Sequence, residues 1–370
     1  MSTGLYIHIP FCAKKCPYCD FYSVSFDEKL AENYTNAVIK RIESYKEKNL
    51  SVDTIYFGGG TPNLIGSEKI GKILKSINEN FSVCENAEIT MEANAESLVK
   101  SDISAFAKAG INRLSLGLQS ANEKELSSIN RAHSIENVAL CVERAKKAGI
   151  SNISLDLMLG LEGQTKQSLK KSIEFCENLK VSHISSYMLK IEKNTPFYNR
   201  RSLLSLPSED EACDLYLFAC DELKKLGFEQ YEISNFAKNN MCSRHNLKYW
   251  NCEDYIGIGA SAHGYESTER YFYKRNITDF ISNPLSPTFD CKGGNFDEYF
   301  MLKLRLCEGL CISDFKQKFN LELSEYFYKK ISLYEKAGLV NLRKDILSLT
   351  ARGFLVSNTI ITNLLDEIYK

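Results

Sequence analysis

The chain has 370 residues, enough for one large domain with a smaller one beside it. Its 46 lysines and arginines nearly balance its 47 aspartates and glutamates, whereas a protein that binds nucleic acid in bulk usually carries a basic excess. No apolar run approaches the roughly 18 residues needed to span a bilayer, and no secretory signal precedes the first strand-like run. We therefore expect a cytoplasmic protein that does not bind nucleic acid.

Six short β-rich runs alternate with amphipathic stretches in the first half of the chain. The predicted strands cover residues 5–9, 54–58, 88–93, 113–118, 153–159 and 183–189. The predicted helices between them include 28–48, 67–81 with Ser67 as its N-cap, and 136–149. Strands joined by crossover helices form a parallel sheet, open or closed into an incomplete barrel. In both architectures the functional residues lie at the carboxyl ends of the strands.

The sequence pattern divides the chain into three parts. Residues 1–205 form the alternating core, and residues 206–292 form an extension rich in aromatic residues, glycine and asparagine. In residues 293–370, three helical segments precede a β-like turn, as in a winged-helix module with an α+β fold. This last part mixes acidic and basic residues freely, which favours a packing or lid role over DNA binding.

Three of the thirteen cysteines form a cluster directly after the first predicted strand. Cys12, Cys16 and Cys19 have the spacing C-x3-C-x2-C. Zinc sites usually pair C-x2-C with a second, distant pair of ligands, whereas three cysteines on one loop suit a [4Fe–4S] cluster with one iron left open. A structural zinc site or three reduced thiols are the alternatives. The cysteines in apolar helical stretches are interpreted as small buried hydrophobic residues.

This loop, with an aromatic residue before the third cysteine, resembles the signature of the radical S-adenosylmethionine (SAM) proteins. The resemblance implies a partial (β/α)6 TIM-like barrel and a [4Fe–4S] cluster whose open iron binds SAM. It also implies that the reduced cluster can cleave SAM to a 5′-deoxyadenosyl radical. The segments YIHIPFC, FGGGTP, RLSLGLQS, DLMLGLEGQT, HNLKYW and GIGASAHGY are similar to the branch that contains oxygen-independent coproporphyrinogen III oxidase and its haem-chaperone relatives.

The resemblance implies roles for residues at matching positions, with Cys12, Cys16 and Cys19 as the cluster ligands. The implied SAM contacts are Tyr6, Gly59, Gly60, Thr61, Glu92, Gln119, Arg131 and Asp156. Successive glycines let backbone N–H and C=O groups approach a ligand closely, so this edge could serve both charged groups of the methionine end of SAM. From the residues alone, GGGTP could be an ordinary turn, Gln119 a satisfied strand-end amide and Arg131 a surface ion-pair residue. Glu162 stands where the branch usually has proline, which loosens the turn without abolishing SAM binding.

Two features distinguish the oxidase from its chaperone relatives, and both favour the chaperone. Phe21 stands where the oxidase has a fourth cysteine, and the chaperone motif H-N-x-x-Y-W is present from His245 to Trp250. We expect His245 to be an axial haem ligand, with Tyr249 and Trp250 as an aromatic wall for the porphyrin.

Other assignments around this motif stay open at the level of sequence. Cys242 is a second candidate iron ligand, and in the alternative interpretation His245 and Asn246 brace a loop beneath the barrel. We expect His8, on the first strand, to hydrogen-bond a backbone carbonyl rather than a metal. The remaining histidines, His133, His183 and His263, receive no role.

The leading hypothesis is a haem-binding chaperone that delivers haem to apo-haemoproteins, with respiratory proteins at the membrane surface as the expected acceptors. The alternative is an oxygen-independent coproporphyrinogen III oxidase, which would use the radical to decarboxylate propionates. A DNA regulator is a third and weaker hypothesis. The resemblance further implies an electron donor such as a flavodoxin or ferredoxin and gives a weak precedent for a homodimer. No catalytic residue is assigned.

Overall fold

The computed structural model describes residues 2–131 and 134–369. The described residues form one 12-stranded sheet, with a 3-stranded and a 2-stranded sheet beside it. The strands are β1 (Thr3–Ile9), β2 (Phe11–Cys12), β3 (Val24–Ser25), β4 (Ser51–Gly59), β5 (Ser82–Ala93), β6 (Arg113–Gln119), β7 (Asn152–Leu159), β8 (His183–Met188), β9 (Glu229–Gln230), β10 (Asn235–Ala237), β11 (Tyr255–Ile258), β12 (His263–Glu266), β13 (Glu269–Phe272), β14 (Thr288–Lys292), β15 (Leu310–Cys311), β16 (Val340–Arg343) and β17 (Ile346–Leu349).

The helices are α1 (Glu28–Glu43), α2 (Gly66–Asn80), α3 (Ala95–Leu98), α4 (Ile103–Ala109), α5 (Glu123–Ser128), α6 (Ile135–Lys147), α7 (Lys166–Asn178), α8 (Pro196–Asn199), α9 (Glu209–Lys225), α10 (Arg244–Trp250), α11 (Ile277–Ser282), α12 (Phe296–Lys303), α13 (Ile312–Phe319), α14 (Glu325–Lys336), α15 (Ala351–Leu355) and α16 (Ser357–Ile368). Short 3-10 turns cover Lys46–Lys48, Pro62–Ile65 and Arg201–Leu203.

The six predicted strands are neighbours in the large sheet, in the order β1-β4-β5-β6-β7-β8, and all pair in parallel. This arrangement confirms the predicted partial barrel, because each parallel step requires a crossover on the outside of the sheet. The segment 206–292 adds strands to both edges of the same sheet. From it, β11 pairs in parallel with β1, whereas β10 pairs antiparallel with β8.

Side chains of the barrel strands alternate between an apolar outer layer and a polar interior. On β1, Leu5, Ile7 and Ile9 are fully buried in the main hydrophobic core, which the surrounding helices cover. The opposite face of the strands carries Tyr56, Glu92 and other polar side chains, which face the inside of the barrel. Because the side-chain period of a strand is two residues, this alternation separates the stabilising layer from the layer available for ligands.

Two helix boundaries differ from the prediction. Helix α2 begins at Gly66, because the 3-10 turn before it runs directly into the helix, so Ser67 lies inside α2 and is not its N-cap. Helix α1 ends at Glu43, and a separate 3-10 turn follows it. The start of α1 has a regular cap, since the Asp27 carboxylate accepts a hydrogen bond from the backbone N–H of Leu30 at 2.8 Å.

The C-terminal part contains the helices α12, α13 and α14, followed by the hairpin of β16 and β17. The third strand of this small sheet, β15, pairs with β17, and α15 and α16 complete the module. This is the winged-helix-like α+β arrangement expected from the sequence. Within residues 2–131 and 134–369, no helix combines the length and the apolar character needed to cross a membrane.

Candidate functional site

A cavity of about 600 Å³ opens at the carboxyl ends of the barrel strands. The three clustered cysteines, the GGGTP turn and the inward-facing polar side chains of β4 to β8 all line it. The exposed lining residues form what we call the cavity mouth, defined as Lys14, Lys15, Asp20, Phe21, Met188 and Lys190. Residues from distant parts of the sequence thus meet in one place, as the topology of a parallel barrel requires.

The cysteine loop is held in place by contacts with several other segments. Cys12 ends β2, which pairs with β3, and the Cys19 backbone N–H donates to the Cys16 carbonyl at 3.2 Å. The Phe197 N–H donates to the Pro17 carbonyl at 3.0 Å, which ties the loop to α8. All three thiols are half-buried and free of disulfides. The loop therefore presents three thiols to one cavity.

These three thiols fit the donor set of an iron–sulfur cluster. Thiolates are the usual protein ligands of [4Fe–4S] clusters, and the three cysteines that line this cavity would bind three irons and leave the fourth open. The Thr61 hydroxyl donates to the Cys12 Sγ at 3.7 Å, so the sulfur is already oriented by a neighbouring side chain. Among the residues that the structure describes, no group of three His, Cys, Asp or Glu side chains has the geometry to hold a single metal ion.

The glycine turn after β4 is shaped by the backbone against which it packs. A Cβ atom on Gly60 would lie 2.6 Å from the Phe11 carbonyl oxygen, so only glycine fits. The N–H groups of this turn already have partners: Gly59 donates to the Glu92 carboxylate at 3.0 Å, Gly60 to the Ile9 carbonyl at 2.9 Å, and Thr61 to the Phe11 carbonyl at 2.7 Å. The expectation that this edge offers both N–H and C=O groups to a ligand is therefore wrong for the N–H groups.

Glu92 and Asp156 are the two carboxylates inside the cavity. Glu92 accepts hydrogen bonds from the Tyr56 hydroxyl at 2.8 Å and from the Gly59 N–H, and Asp156 accepts one from the Ser115 hydroxyl at 3.2 Å. Burial raises the pKa of Glu92 to about 7 and that of Asp156 to about 6. The hydrogen bonds that each carboxylate accepts do not fully replace the hydration that it loses on burial, so a cationic or hydroxyl-rich ligand would stabilise its ionised form.

Gln119 and Arg131 lie together on the other wall of the cavity. Gln119 has a positive φ of 67° at an irregularity in the β6–β7 pairing, and its side-chain carbonyl accepts from the Tyr187 hydroxyl at 3.0 Å. Arg131 donates through Nε to the Tyr18 hydroxyl at 3.2 Å. A Cβ atom on Gly117 would lie 2.8 Å from the Gln119 amide nitrogen and 3.3 Å from an Arg131 nitrogen, so glycine makes room for both side chains.

Tyr6 is the one predicted SAM contact that does not line the cavity. Its hydroxyl hydrogen-bonds His8 Nδ1 at 3.0 Å, and its ring stacks against those of Tyr56 and His245, with centroid distances of 6.2 and 6.4 Å. The neighbouring inward tyrosine, Tyr56, takes the place at the cavity wall. His8 Nε2 hydrogen-bonds the Tyr22 carbonyl at 3.1 Å, in agreement with the prediction for this histidine.

Helix α10, which carries the H-N-x-x-Y-W motif, closes the opposite end of the barrel, and we call it the floor helix. The Glu88 carboxylate on β5 accepts from the backbone N–H groups of Arg244 and His245 at 3.1 and 3.2 Å, in the manner of an N-cap supplied by another element. The buried Lys248 ammonium contacts the Asp53 carboxylate at 3.0 Å and that of Glu253 at 3.1 Å. These contacts anchor both ends of the floor helix.

His245 is fully buried beneath the cavity. Its Nδ1 hydrogen-bonds the Thr54 hydroxyl and its Nε2 the Tyr249 hydroxyl, both at 2.8 Å. Burial lowers the pKa of His245 to about 3, so the imidazole is neutral. The Tyr249 hydroxyl lies where an iron atom would have to bind Nε2. This geometry favours the bracing interpretation of His245 over the ligand interpretation.

The other residues assigned near the haem lie apart from the cavity. Trp250 is half-buried at the end of the floor helix, and Cys242 is half-buried just before it; neither lines the cavity, whereas Asn246 does. The cavity residues that sequence reasoning missed include four polar side chains on the barrel strands, namely Tyr56, Ser115, Ser185 and Tyr187. The alternation of polar residues on β4, β6 and β8 was the signal that could have found them. His133 lies outside the described residues.

Two family models match this chain. The model of the radical SAM superfamily matches residues 6–176, and that of the HemN C-terminal domain matches residues 297–356. Heme chaperone HemW of Lactococcus lactis is 35% identical over 99% of this chain and 98% of its own, and that of Bacillus subtilis is 34% identical over 98% and 99%.

Among solved structures, the radical SAM enzyme coproporphyrinogen III oxidase (HemN) from Escherichia coli has a TM-score of 0.83 with this chain, at 21% identity, over 100% of this chain and 91% of the other. This similarity shows that the two proteins share a fold over the whole of this chain and 91% of the other. The sequence relationship to the chaperones is closer and covers both chains almost completely. The chain therefore belongs to the heme chaperone HemW family of radical SAM proteins.

Proposed function

We propose that this protein binds haem and delivers it to apo-haemoproteins, on a scaffold that carries a [4Fe–4S] cluster and SAM. The relatives that match nearly the whole chain are named as heme chaperones. The observation that carries the proposal is Phe21: the resemblance to the oxidase implies a fourth cysteine at this position, and here a phenylalanine is 67% exposed at the cavity mouth. An exposed phenylalanine beside three cysteines suits the binding of a flat apolar molecule better than it suits radical chemistry at that position.

Cys12, Cys16 and Cys19 would hold the cluster. When bound through three cysteines, such a cluster supplies one iron open to SAM and transfers single electrons. The protein's own contribution is to fix the three thiols on one anchored loop and to shield them with Phe11, which is fully buried, and Tyr18, which is half-buried.

The inward polar residues would hold SAM. The Glu92 carboxylate and the carbonyl groups of Gly59 and Gly60 suit its ammonium group, and the Asp156 carboxylate suits the ribose hydroxyls. SAM carries both a sulfonium and an ammonium charge, so its binding would stabilise the ionised forms of the two carboxylates whose pKa burial has raised.

Three further residues complete the proposed SAM set. The Arg131 guanidinium suits the methionine carboxylate, with Gln119 beside it and the Thr61 hydroxyl across the cavity. Tyr6 would act from behind the wall by orienting Tyr56 through ring stacking rather than by touching SAM.

The partners follow from the same proposal. The acceptors would be apo-haemoproteins, with respiratory proteins at the membrane surface as candidates, and the protein would work in the cytoplasm. A flavodoxin or ferredoxin would reduce the cluster. A homodimer and a transient contact with the membrane surface are also part of the proposal, which includes no nucleic acid.

The test is a transfer assay with anaerobically reconstituted protein. Protein loaded with haem is mixed with an apo-haemoprotein, and the absorbance of the acceptor's haem band is followed. We expect transfer from the loaded protein. The same preparation receives coproporphyrinogen III, SAM and a reductant; turnover to protoporphyrinogen together with no haem transfer would replace the proposal with the oxidase function.

A further inference from the structure

The H-N-x-x-Y-W motif leaves a question about where haem binds. His245 is fully buried, both its ring nitrogens have hydrogen-bond partners, and the floor helix that carries it is anchored by Glu88 and Lys248. A haem iron could reach Nε2 only after Tyr249 had left it and the floor helix had moved. A surface that is already open would accept haem without such a rearrangement.

The interior of the cavity is not that surface. A volume of about 600 Å³ is of the size that one drug-sized ligand fills, and polar side chains suited to SAM line it. With the cluster and SAM inside, a porphyrin has to lie across the opening. The residues of the cavity mouth therefore determine what can bind there.

The cavity mouth has an apolar part that comes from two segments of the chain. Phe21 extends from the cysteine loop, and within the described residues its ring makes no ring–ring contact. Met188, at the end of β8, is 38% exposed, and the half-buried Leu189 follows it. Exposed apolar side chains at the rim of one cavity are typical of a binding surface for an apolar molecule.

The cavity mouth also carries unpaired positive charge. The Asp20 carboxylate is paired with Arg275 at 3.4 Å, and Lys190 is paired with the Glu192 carboxylate at 2.6 Å. Among the described residues, neither Lys14 nor Lys15 forms an ion pair; Lys14 donates to the Asn130 side-chain carbonyl at 3.2 Å. Two consecutive exposed lysines beside an exposed aromatic ring match the chemistry of a flat apolar molecule with two carboxylates.

On the basis of the proposed haem-chaperone function, we propose that haem lies across the cavity mouth, with its ring on Phe21 and Met188 and its propionates on Lys14 and Lys15. His245 then acts as a brace of the floor helix and does not bind the iron. The position is open to solvent on its outer side, which suits a protein that has to release its cargo to another protein.

The test is a haem titration, followed by absorbance, of reconstituted protein in the presence of SAM. The variants are Phe21→Ser and the double variant Lys14→Glu with Lys15→Glu. We expect each to raise the haem Kd about tenfold or more, which corresponds to about 1.4 kcal/mol. Iron content and far-UV circular dichroism are measured for every variant, so that a lost cluster or a lost fold is recognised.

Matched controls come from surfaces away from the cavity. Phe289→Ser removes a phenylalanine that is 57% exposed on β14, and Lys170→Glu with Lys171→Glu reverses two consecutive exposed lysines on α7. Both should bind haem as the wild type does. Wild-type affinity in both cavity-mouth variants would overturn the inference while leaving the chaperone function intact, as would loss of haem in a folded His245→Gln variant. A wild-type protein that binds no haem would overturn the proposed function and this inference together.

Discussion

The burial of His245 leads to a prediction that separates a brace from a haem ligand. We expect His245→Ala to destabilise the protein even when no haem is present. The substitution removes a ring from a site with no solvent exposure, and it leaves the fully buried Thr54 hydroxyl and the Tyr249 hydroxyl without their partner. The Tyr56 ring also loses its stacking partner, since the two ring centroids lie 5.3 Å apart in the wild type.

The magnitude follows from these contacts. An unpaired buried polar group costs about 1–3 kcal/mol, and truncating a large buried side chain to alanine costs about 2–5 kcal/mol, with partial overlap between the two effects. We therefore expect the free energy of unfolding to fall by about 4 kcal/mol. If the histidine were a haem ligand on an open surface, its replacement would leave the stability of the apo-protein almost unchanged, since surface substitutions usually change stability by less than about 0.5 kcal/mol.

The assay is urea unfolding of the apo-protein, followed by far-UV circular dichroism and by the fluorescence of Trp250, the only tryptophan. The control is His263→Ala, because His263 is exposed on β12 and its ring stacks on Phe272 at 5.6 Å. We expect the control to lose less than about 1 kcal/mol. If His245→Ala is as stable as this control, the bracing role is refuted.

Three further predictions concern titration, SAM and the cluster. The pKa of His245 is about 3 in the folded protein and 6.5 in the unfolded chain, so the stability that its neutral form contributes is present above pH 6.5 and is lost as the pH falls. The free energy of unfolding is measured by urea titration for the wild type and for His245→Gln. The difference, wild type minus variant, should rise by about 1.4 kcal/mol per pH unit between about pH 4 and 6. Because the pKa of Glu92 is raised to about 7, calorimetry should find weaker SAM binding at about pH 6 than at about pH 8. The Glu92→Gln variant should bind SAM weakly at both pH values. Equal affinities of the wild type at the two pH values would show that the Glu92 charge does not bind SAM. Reconstituted Cys16→Ser should lose iron and visible absorption while keeping its circular dichroism, whereas Cys291→Ser, at an exposed position on β14, should keep its iron.

The sequence allowed the local pattern to be predicted well. The alternation of strands and helices, the loop with Cys12, Cys16 and Cys19 and the glycine turn at Gly60 depend on short-range spacing, and the structure brings these segments together at one end of the barrel. Polar residues on the inner face, such as Glu92 and Asp156, share a cavity because parallel strands align their carboxyl ends.

What sequence reasoning could not supply was the long-range pairing. Strand β11 joins β1 in parallel from more than half a chain away, and the floor helix owes its place to Glu88 and Thr54 on strands far back in the sequence. Tyr6 and Tyr56 are register partners on β1 and β4, so strand periodicity alone cannot decide which of the two lines the cavity. Residue type predicts His245 as an axial ligand, but it does not show that the fold buries the imidazole between the Thr54 and Tyr249 hydroxyls.

The most direct test of the account is a haem titration of the anaerobically reconstituted protein, with and without SAM, combined with measurement of bound haem and of porphyrin products. We predict saturable binding of one haem per chain, a cluster that remains intact, and no conversion of coproporphyrinogen III. Turnover of coproporphyrinogen III by a protein that binds no haem would contradict it.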